Sequence, residues 1–466
     1  MSTGTINTGA LSGVEAFPVQ VTATVTDGLP SFAFVGAMGE AAVRESRVRV
    51  QAAIVNAGFL FPTGRVTVEI KAGRGKVDGT GFDLPIALAV LEATGQIPQA
   101  SLALVAFGEL GLNGDVRPVR GAMVLASLGA DVLCAFENGA EAALTSRAVT
   151  VRTLKDAATF CATGTGGEAF TAPTLALSRE TRQGSVSPDF ADIRGQGRAK
   201  RAAEIAAAGG HSLMLTGGPG AGKTMIARRI PGILPNLTEG EAREVTAVHS
   251  SAGLNIGGGL VSSRPFRAPH HSTTTPGLVG GGASVPRPGE VTLAHHGVLF
   301  LDETPEFSRQ TLEVLREPLM TGEVTLARSS GTLRYPSRAM LVGSRQPCPC
   351  GRFGDARQTS RTSCHCSPES RIAYRKRSTS VEALCDVRCE VDPVNLADIE
   401  TAPKGEDSAT IRARVVAARE RQTARGCLNA GRIDLDRVSR VALTIADLAG
   451  TDVTEAHRAE AESLTK

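Results

Sequence analysis

A glycine-rich stretch near the middle of the chain has the residue types and spacing of a phosphate-binding loop, G-x-x-x-x-G-K-T. Its residues are Gly217, Gly218, Pro219, Gly220, Ala221, Gly222, Lys223 and Thr224. Glycines let backbone N–H groups converge on a phosphate, while Lys223 is suited to the β- and γ-phosphates and the Thr224 hydroxyl to Mg²⁺. The pattern predicts that the protein binds a nucleoside triphosphate.

The residues on either side of this loop support the prediction, because such a loop lies between a strand and a helix. Residues 212–215 form an apolar run typical of a buried strand, and residues 225–230 are suited to a first helical turn. A helix that begins directly after the glycines presents its positive end to an anion. The alternative interpretation is a plain glycine-rich turn with a chance lysine, which does not need a strand before it and a helix after it.

A second group with suitable chemistry follows farther along, where the apolar run 297–301 ends at Asp302 and Glu303. The run predicts a strand of a parallel sheet that is buried on both faces. Acidic side chains at the carboxyl end of such a strand lie where ligands bind in open α/β sheets. We expect Asp302 to hold Mg²⁺ and Glu303 to orient and polarise the attacking water.

Two C-x-C pairs have the residue types of a tetrahedral metal site. Their cysteines are Cys348, Cys350, Cys364 and Cys366. Because the usual spacing is C-x₂-C, structural Zn²⁺ and free thiols are equal alternatives. The surrounding residues 338–377 hold 9 Arg and Lys against only Asp355 and Glu369. This local basic bias predicts a surface that contacts a nucleic-acid backbone.

Length and composition set the broad class of the protein. The chain has 466 residues, 42% of them hydrophobic, which is enough for roughly three globular domains. A net charge of +3 does not by itself indicate a nucleic-acid binder, and 2 Tyr with no Trp leave few platforms for unpaired bases. The start lacks a secretory signal, and no run approaches the ~18 apolar residues of a membrane helix. We therefore expect a cytoplasmic protein whose 9 cysteines are reduced or bind metal.

The order of patterns along the chain predicts a separate domain before the nucleotide motifs. Residues 19–25 and 65–70 alternate like strands, whereas residues 40–57 and 84–91 have helical patterns. This mixture indicates an α+β domain with its own core. The composition then shifts to Gly, Thr, Ser and Pro, which is typical of a linker. The expected boundaries are 1–163 for the first domain, 164–190 for the linker, 191–395 for the nucleotide-binding domain and 396–466 for the remainder.

Longer motifs resemble the magnesium-chelatase-like AAA+ ATPases of the ComM/YifB family. Those before the linker are residues 42–46 (AVRES) and 82–88 (FDLPIAL). Those after it are residues 206–211, 231–235, 264–271, 286–290, 294–297 and 305–307. The resemblance covers residues from about 10 to 395 and becomes weaker and shorter afterwards.

This resemblance implies an α/β fold built around an AAA+ P-loop NTPase module of magnesium-chelatase type at residues 191–395. It also implies an N-terminal ribosomal-S5/Lon-like (ChlI-type) α+β domain and a short C-terminal helical lid. ATP would bind with Mg²⁺ between the subunits of a hexameric ring. Residues 76–81 follow a Lys-x-Asp-Gly pattern without a serine nucleophile, so peptidase activity is not expected.

The resemblance further implies a role on DNA, as a branch-migration helicase in recombination and natural transformation. The expected partner is branched DNA or a junction of single-stranded and duplex DNA. Residues 257–282 resemble an insert that faces the ring pore, and residues 323–335 resemble the pre-sensor hairpin. Arg328 and Arg334 of that hairpin are suited to contact phosphates. Solvated surface loops are the alternative interpretation of both segments.

The chain departs from the family pattern at two functional positions. Gln346 stands at the sensor-1 asparagine, and Leu384 stands where the family has its finger arginine, although Arg388 lies close by in the sequence. Arg440 matches the sensor-2 arginine. An arginine finger contributes about 10³–10⁵ in rate in other phosphoryl-transfer systems, so ATP binding is expected more firmly than fast hydrolysis. The alternatives are a ring component with weak or no hydrolysis and a chelatase-type motor for metal insertion.

Two histidine pairs are a further group with ligand chemistry. They are His270 with His271, and His295 with His296. Adjacent side chains on a regular element point in different directions, and no acidic residue accompanies either pair at a fixed spacing. We therefore expect a structural or interface role for them rather than metal binding.

Overall fold

The computed structural model describes most of the chain. The described residues are 1–73, 77, 79–100, 103–170, 188–254, 256–282, 286–328, 331–354, 363–393, 403–426 and 435–466. Lys76 and Asp78 of the Lys-x-Asp-Gly pattern, most of the predicted linker, Asp355 and the side chain of Arg328 lie outside the described residues. Within the described residues, no helix is long and apolar enough to cross a membrane.

The N-terminal domain combines an eight-stranded mixed sheet with helices. Its strands are β1 Ser2–Ser12, β2 Glu15–Thr26, β3 Ser31–Gly36, β4 Arg65–Ala72, β5 Leu104–Ala106, β6 Glu109–Leu110, β7 Val116–Arg117, β8 Asp131–Ala135, β9 Arg147–Val151 and β10 Glu168–Phe170. Its helices are α1 Glu40–Asn56, α2 Asp83–Ala93, α3 Ala122–Ala126, α4 Gly139–Ala142 and α5 Leu154–Thr163. The sheet order is β10-β9-β8-β5-β1-β2-β4-β3, while β6 and β7 pair separately. The predicted strands and helices of this domain are confirmed.

Helix α2 is the buried centre of this domain, because all of its residues are buried and it packs on β1 and β2. Its first residue, Asp83, is fully buried. The carboxylate accepts hydrogen bonds from Ser46 Oγ at 2.7 Å and from Arg49 Nε at 2.6 Å, both on α1. Burial raises the pKa of Asp83, and these two donors oppose the shift. The ion pair of Arg49 and Asp83 joins α1 to α2 in the interior of the domain, where an unpaired charge would be costly.

The second domain is built on a five-stranded parallel sheet. The strands of the whole domain are β11 Leu213–Thr216, β12 Phe266–Arg267, β13 Gly280–Gly281, β14 Arg287–Pro288, β15 Val298–Leu301, β16 Glu323–Arg328, β17 Gly331–Pro336, β18 Met340–Arg345 and β19 Val387–Glu390. Two further pairs of strands, β13 with β14 and β16 with β17, lie outside this sheet. The sheet order is β12-β15-β18-β11-β19, and all these pairs are parallel. Every residue of β15 is buried, which confirms the predicted interior strand. Strands β16 and β17 form an antiparallel hairpin, as predicted.

Helices complete this domain and follow it to the end of the described chain. They are α6 Gly197–Gly209, α7 Lys223–Ile233, α8 Glu239–Ala252, α9 Thr275–Val279, α10 Glu290–Leu293, α11 Arg309–Glu313, α12 Arg316–Thr321, α13 Pro368–Lys376, α14 Thr379–Glu382, α15 Ser408–Ala424, α16 Arg437–Ala449 and α17 Glu455–Thr465. Helix α15 packs against α6 and α7. Its Arg419 donates to the carbonyl of Ala207 at 2.7 Å, and its Arg412 donates to that of Gly232 at 2.9 Å. These carbonyls lie in the last turns of α6 and α7, where a carbonyl oxygen has no N–H donor within its own helix.

The two domains contact each other through α8. The Gly121 amide donates to the Ser250 carbonyl at 2.9 Å, and the Ser250 hydroxyl donates to Glu141 at 2.5 Å. A small apolar cluster joins the same surfaces, formed by Met123, Leu144, Leu237, Ala242, Val245 and Leu260. The N-terminal domain is therefore anchored to the helix that follows α7 and the nucleotide motif.

We predict that Asp83→Ala lowers the free energy of unfolding by about 3 kcal/mol, because it leaves the mostly buried Arg49 without its partner. The matched control is Glu45→Ala, which removes the exposed carboxylate that Arg49 also contacts at 3.3 Å. That substitution should cost less than about 1 kcal/mol. Urea denaturation followed by circular dichroism measures both. Equal effects of the two substitutions would contradict the structural role assigned to Asp83.

Candidate nucleotide-binding site

The glycine-rich loop connects the end of β11 to the start of α7, as the sequence predicts. Gly220 and Gly222 have φ angles of +74° and +94°, a conformation that other residues adopt at a cost. Gly217 is needed for a different reason, since an added methyl group would lie 2.6 Å from the Val391 carbonyl oxygen. The loop therefore requires glycine both for its turn and for its close packing against the end of β19.

Lys223 points its ammonium group back into this loop. Its Nζ donates to the carbonyl oxygens of Gly217 and Gly218 at 2.7 and 2.8 Å, and the residue is only 8% exposed. Burial lowers the pKa of Lys223, while the nearby carboxylates of Asp302 and Glu303 raise it. The structure thus brings the lysine of one motif close to the acidic residues of the other.

Asp302 is held by two hydroxyl groups at the carboxyl edge of the sheet. Thr224 Oγ1 donates to Asp302 Oδ2 at 2.9 Å, and Ser344 Oγ donates to Oδ1 at 2.5 Å. Hydroxyl and carboxylate oxygens are the ligands that Mg²⁺ prefers, so Thr224 and Asp302 fit this ion. Ser344 was missed in the sequence because serine at the end of an apolar strand carries no distinctive signal.

Glu303 lies beside Asp302 in an unusual backbone conformation. Its φ and ψ are 50° and 52°, in the left-handed region that costs a non-glycine residue about 1–2 kcal/mol. The Glu303 amide donates to Ser344 Oγ at 3.0 Å, and Gln346 Nε2 donates to Glu303 Oε1 at 3.0 Å. The predicted sensor glutamine therefore fixes one oxygen of the carboxylate predicted to orient water.

The structure does not bring Arg440 together with these residues. Arg440 Nη2 donates to Asp386 Oδ1 at 2.6 Å, and His211 Nδ1 lies 3.0 Å from the other oxygen of the same carboxylate. Asp386 and His211 precede the parallel strands β19 and β11, whereas the glycine-rich loop follows β11. Arg440 thus lies at the amino edge of the sheet, opposite the nucleotide motifs of its own chain.

Leu384, at the predicted finger position, is a packing residue. Its side chain is half-buried against the apolar cluster that includes Leu312 and Val381. The neighbouring Arg388 donates to the Glu382 carbonyl at 3.2 Å. Among the described residues, no ion pair joins an arginine to Asp302 or Glu303.

The four predicted cysteine ligands come together in space. Cys348 Sγ lies 3.3 Å from Cys350 Sγ and 3.6 Å from Cys364 Sγ, and all four sulfur atoms, including that of Cys366, lie within 4.8 Å of one another. Zn–S bonds of about 2.3 Å in a tetrahedron separate sulfur atoms by roughly 3.8 Å. Burial opposes ionisation of Cys348, but hydrogen bonds, first that from Cys350, lower its pKa to about 7. The spacing of the four sulfur atoms is compatible with tetrahedral ligation of one metal ion.

The other cluster with ligand atoms is a hydrogen-bond network. His295 Nε2 and His296 Nε2 each lie 2.9 Å from Glu244 Oε2. His295 Nδ1 accepts from the Arg338 amide at 3.0 Å, so its proton is on Nε2, which then has no lone pair for a metal. Burial, the largest cause, and the adjacent His296 lower the pKa of His295 to about 4. The geometry supports the structural role expected for this pair.

The predicted DNA-facing elements carry exposed basic side chains. Arg334 on β17 is exposed, as are Arg375, Lys376 and Arg377 at the end of α13. These groups lie on regular elements, which fix their positions. The described residues of the segment 257–282 include the short helix α9, whose Thr274 N-cap accepts a hydrogen bond from the Gly277 amide at 3.3 Å.

Comparison with known proteins identifies relatives along nearly the whole chain. Residues 189–399 match the family described as "Magnesium chelatase, subunit ChlI", and residues 21–134 match "Subunit ChlI of Mg-chelatase". "Uncharacterized protein YifB" of Salmonella typhimurium is 39% identical over 91% of this chain and 82% of its own length. "Uncharacterized protein Rv2897c" of Mycobacterium tuberculosis is 40% identical over 90% and 83%. "Competence protein ComM" of Haemophilus influenzae is 36% identical over 99% and 97%.

We predict that Lys223→Ala weakens ATP binding by about 100-fold, because it removes charge-assisted hydrogen bonds to the phosphates. Glu303→Gln should retain binding but lower turnover by about 10²–10⁴, as expected for loss of a group that acts on the water. A fluorescent ATP analogue and a phosphate-release assay measure the two quantities. Lys155→Ala, which changes an exposed residue on α5 of the N-terminal domain, is the control. Wild-type turnover in Glu303→Gln would remove this residue from its assigned role.

Proposed function

Because the chain belongs to the ComM/YifB family of magnesium-chelatase-like AAA+ proteins, we propose that it is a Mg²⁺-dependent ATPase that acts on DNA. In this proposal the working form is a ring of identical subunits, expected to be hexameric. Residues 191–395 form the ATPase module, residues 1–163 an S5/Lon-like domain and residues 396–466 a short helical lid.

The observation that carries the ATPase proposal is the meeting of both nucleotide motifs at one sheet edge. The Thr224 hydroxyl bonds the Asp302 carboxylate at 2.9 Å, and Gln346 bonds Glu303 at 3.0 Å. Bound Mg²⁺ would neutralise charge on the phosphate oxygens, and Thr224 with Asp302 would hold it. Lys223 has donors that can turn from the loop carbonyls to the β- and γ-phosphates. The chain thus supplies groups suited to the phosphates, to the metal ion and to the water.

Glu303 and Gln346 then act on the water. Gln346 holds Glu303 Oε1, so the carboxylate is fixed in rotation and its Oε2 accepts the hydrogen bond from the attacking water. The left-handed backbone of Glu303 and its amide bond to Ser344 restrict the position of this side chain further. Such preorganisation lowers the barrier because the carboxylate does not reorient during the reaction.

Two observations support DNA as the partner. The related ComM is named a competence protein, and the β16–β17 hairpin and α13 carry the exposed basic residues described above. Contacts of this kind neutralise backbone phosphates without reading sequence. A basic surface on the same domain as the nucleotide site is a means to couple turnover to movement along DNA.

An ATP-binding ring with slow turnover is the second candidate. It is favoured by Leu384, which packs into the core at the position where an arginine finger is expected. Turnover would then depend on an arginine from a neighbouring subunit at another position. Both candidates share the nucleotide site and differ in the rate of hydrolysis.

We predict that branched DNA stimulates ATP hydrolysis by about tenfold or more, since a DNA motor couples its turnover to its track. The combined variant Arg375→Ala, Lys376→Ala, Arg377→Ala should keep the basal rate. It should also reduce the logarithmic salt slope of DNA binding by about 2–3. Phosphate release with and without DNA distinguishes the candidates. Hydrolysis that DNA leaves unchanged contradicts the motor, and ATP binding without hydrolysis favours the slow ring.

We also propose that the four cysteines hold one structural Zn²⁺. Protein purified without chelators should contain about one zinc per chain by metal analysis, and Cys364→Ser should lose it. Cys161→Ser is the matched control, because Cys161 is a half-buried thiol of the N-terminal domain outside the cluster. Metal-free protein with four freely titrating thiols at these positions would contradict the proposal.

A further inference from the structure

The loop that carries the first two cysteines lies directly against the glycine-rich loop. We call residues 346–354 the cysteine loop. Its Gly351 has φ +73°, and an added methyl group there would lie 2.4 Å from Gln346 Oε1 and 2.7 Å from Pro219 Cδ. A methyl group on Gly218 would in turn lie 3.1 Å from the Gly351 carbonyl oxygen. A side chain at Gly351 would therefore displace the Gln346 side chain and crowd Pro219 of the phosphate-binding loop.

A second set of contacts holds the other side of the cysteine loop. Helix α13 begins shortly after Cys366, and its buried Tyr374 lies close to the backbone of Gln346. Burial raises the pKa of Tyr374 to about 12, so its phenol stays neutral. The guanidinium group of Arg371 lies 4.0 Å from the centre of the Phe353 ring. Helix α13, which follows the last two cysteines, thus contacts the loop that carries the first two.

The cysteine loop has no regular secondary structure. Its residues form turns and bends rather than a helix or strand, and within the turn the Gly351 amide donates to the Cys348 carbonyl at 2.9 Å. Thiolate ligation couples metal binding to local folding. A metal that joins Cys348 and Cys350 to Cys364 and Cys366 would therefore fix the shape of the loop.

We propose that the cysteine cluster is a metal-dependent brace for the nucleotide site, in which thiolate-bound Zn²⁺ holds Gln346 on Glu303 and Gly351 on the glycine-rich loop. The proposal rests on the function proposed above for this site. Its consequence is that a metal ion outside the phosphate-binding residues controls both nucleotide affinity and turnover. Loss of the metal releases Gln346, and the Glu303 carboxylate loses the donor that orients it.

Two glycine substitutions separate this contact from general effects on the loop. Gly351 and Gly354 both have positive φ angles, +73° and +80°, but an added methyl group at Gly354 meets nothing within 4 Å. Gly351→Ala should retain zinc and lower turnover by about 10- to 100-fold, because it displaces Gln346 and Pro219. Gly354→Ala carries the same backbone cost and should stay within about twofold of wild type. Equal effects of the two substitutions would overturn the proposal.

A metal-removal experiment tests the same inference without a change in the glycine. Cys364→Ser protein, confirmed as folded by circular dichroism, is compared with wild type for binding of a fluorescent ATP analogue and for phosphate release. We expect weaker binding and at least about tenfold slower turnover. Chelator-treated wild type should behave alike and recover when ZnCl₂ is added back. Metal-free protein that binds and hydrolyses ATP like the metal-loaded form would overturn the brace.

The outcomes also separate this inference from the proposed function. Wild-type protein that fails to bind the ATP analogue contradicts the ATPase proposal itself. Wild-type protein that binds it, with Gly351→Ala and Cys364→Ser indistinguishable from it in affinity and turnover, contradicts only the brace. If Gly351→Ala fails to fold, Cys364→Ser and chelation still decide the question.

Discussion

The pairing of β18 with both β15 and β11 is the constraint on which the nucleotide site depends. Parallel pairing aligns the carboxyl ends of the three strands, with Leu301 opposite Gly343 and Thr216 opposite Arg345. The polar residues that follow each strand therefore emerge at one edge. Ser344 bonds both the Asp302 side chain and the Glu303 backbone. A shift of one residue in this register would turn these side chains to the other face of the sheet.

Two charged side chains, those of Lys223 and Asp302, lie at this edge of the sheet. Lys223 and Asp302 lie close together, and each is satisfied by neutral groups, loop carbonyls for the lysine and hydroxyls for the aspartate. An unpaired buried charge would cost several kcal/mol. Hydrogen bonds to neutral groups therefore satisfy both residues within the fold.

Contacts between segments far apart in sequence join the candidate nucleotide site and its domain to other parts of the protein. Gly351 and Pro219 are far apart in sequence but lie in contact, which joins the cysteine cluster to the glycine-rich loop. On another side, the N-terminal domain is fixed to α8 through Ser250 and Glu141. The first connection lies at the candidate nucleotide site, and the second lies on the helix that follows α7.

The sequence by itself determined the local features with strong physical signatures. The glycine-rich loop, the buried strand before Asp302 and the apolar helix α2 follow from residue type and spacing, since each pattern permits few backbone conformations. Only the tertiary structure decided which residues meet. It added Ser344, brought the four cysteines together, placed Arg440 at the opposite edge of the sheet and packed the half-buried Leu384 against an apolar cluster. These outcomes depend on strand register and packing between segments far apart in sequence, which local patterns do not encode.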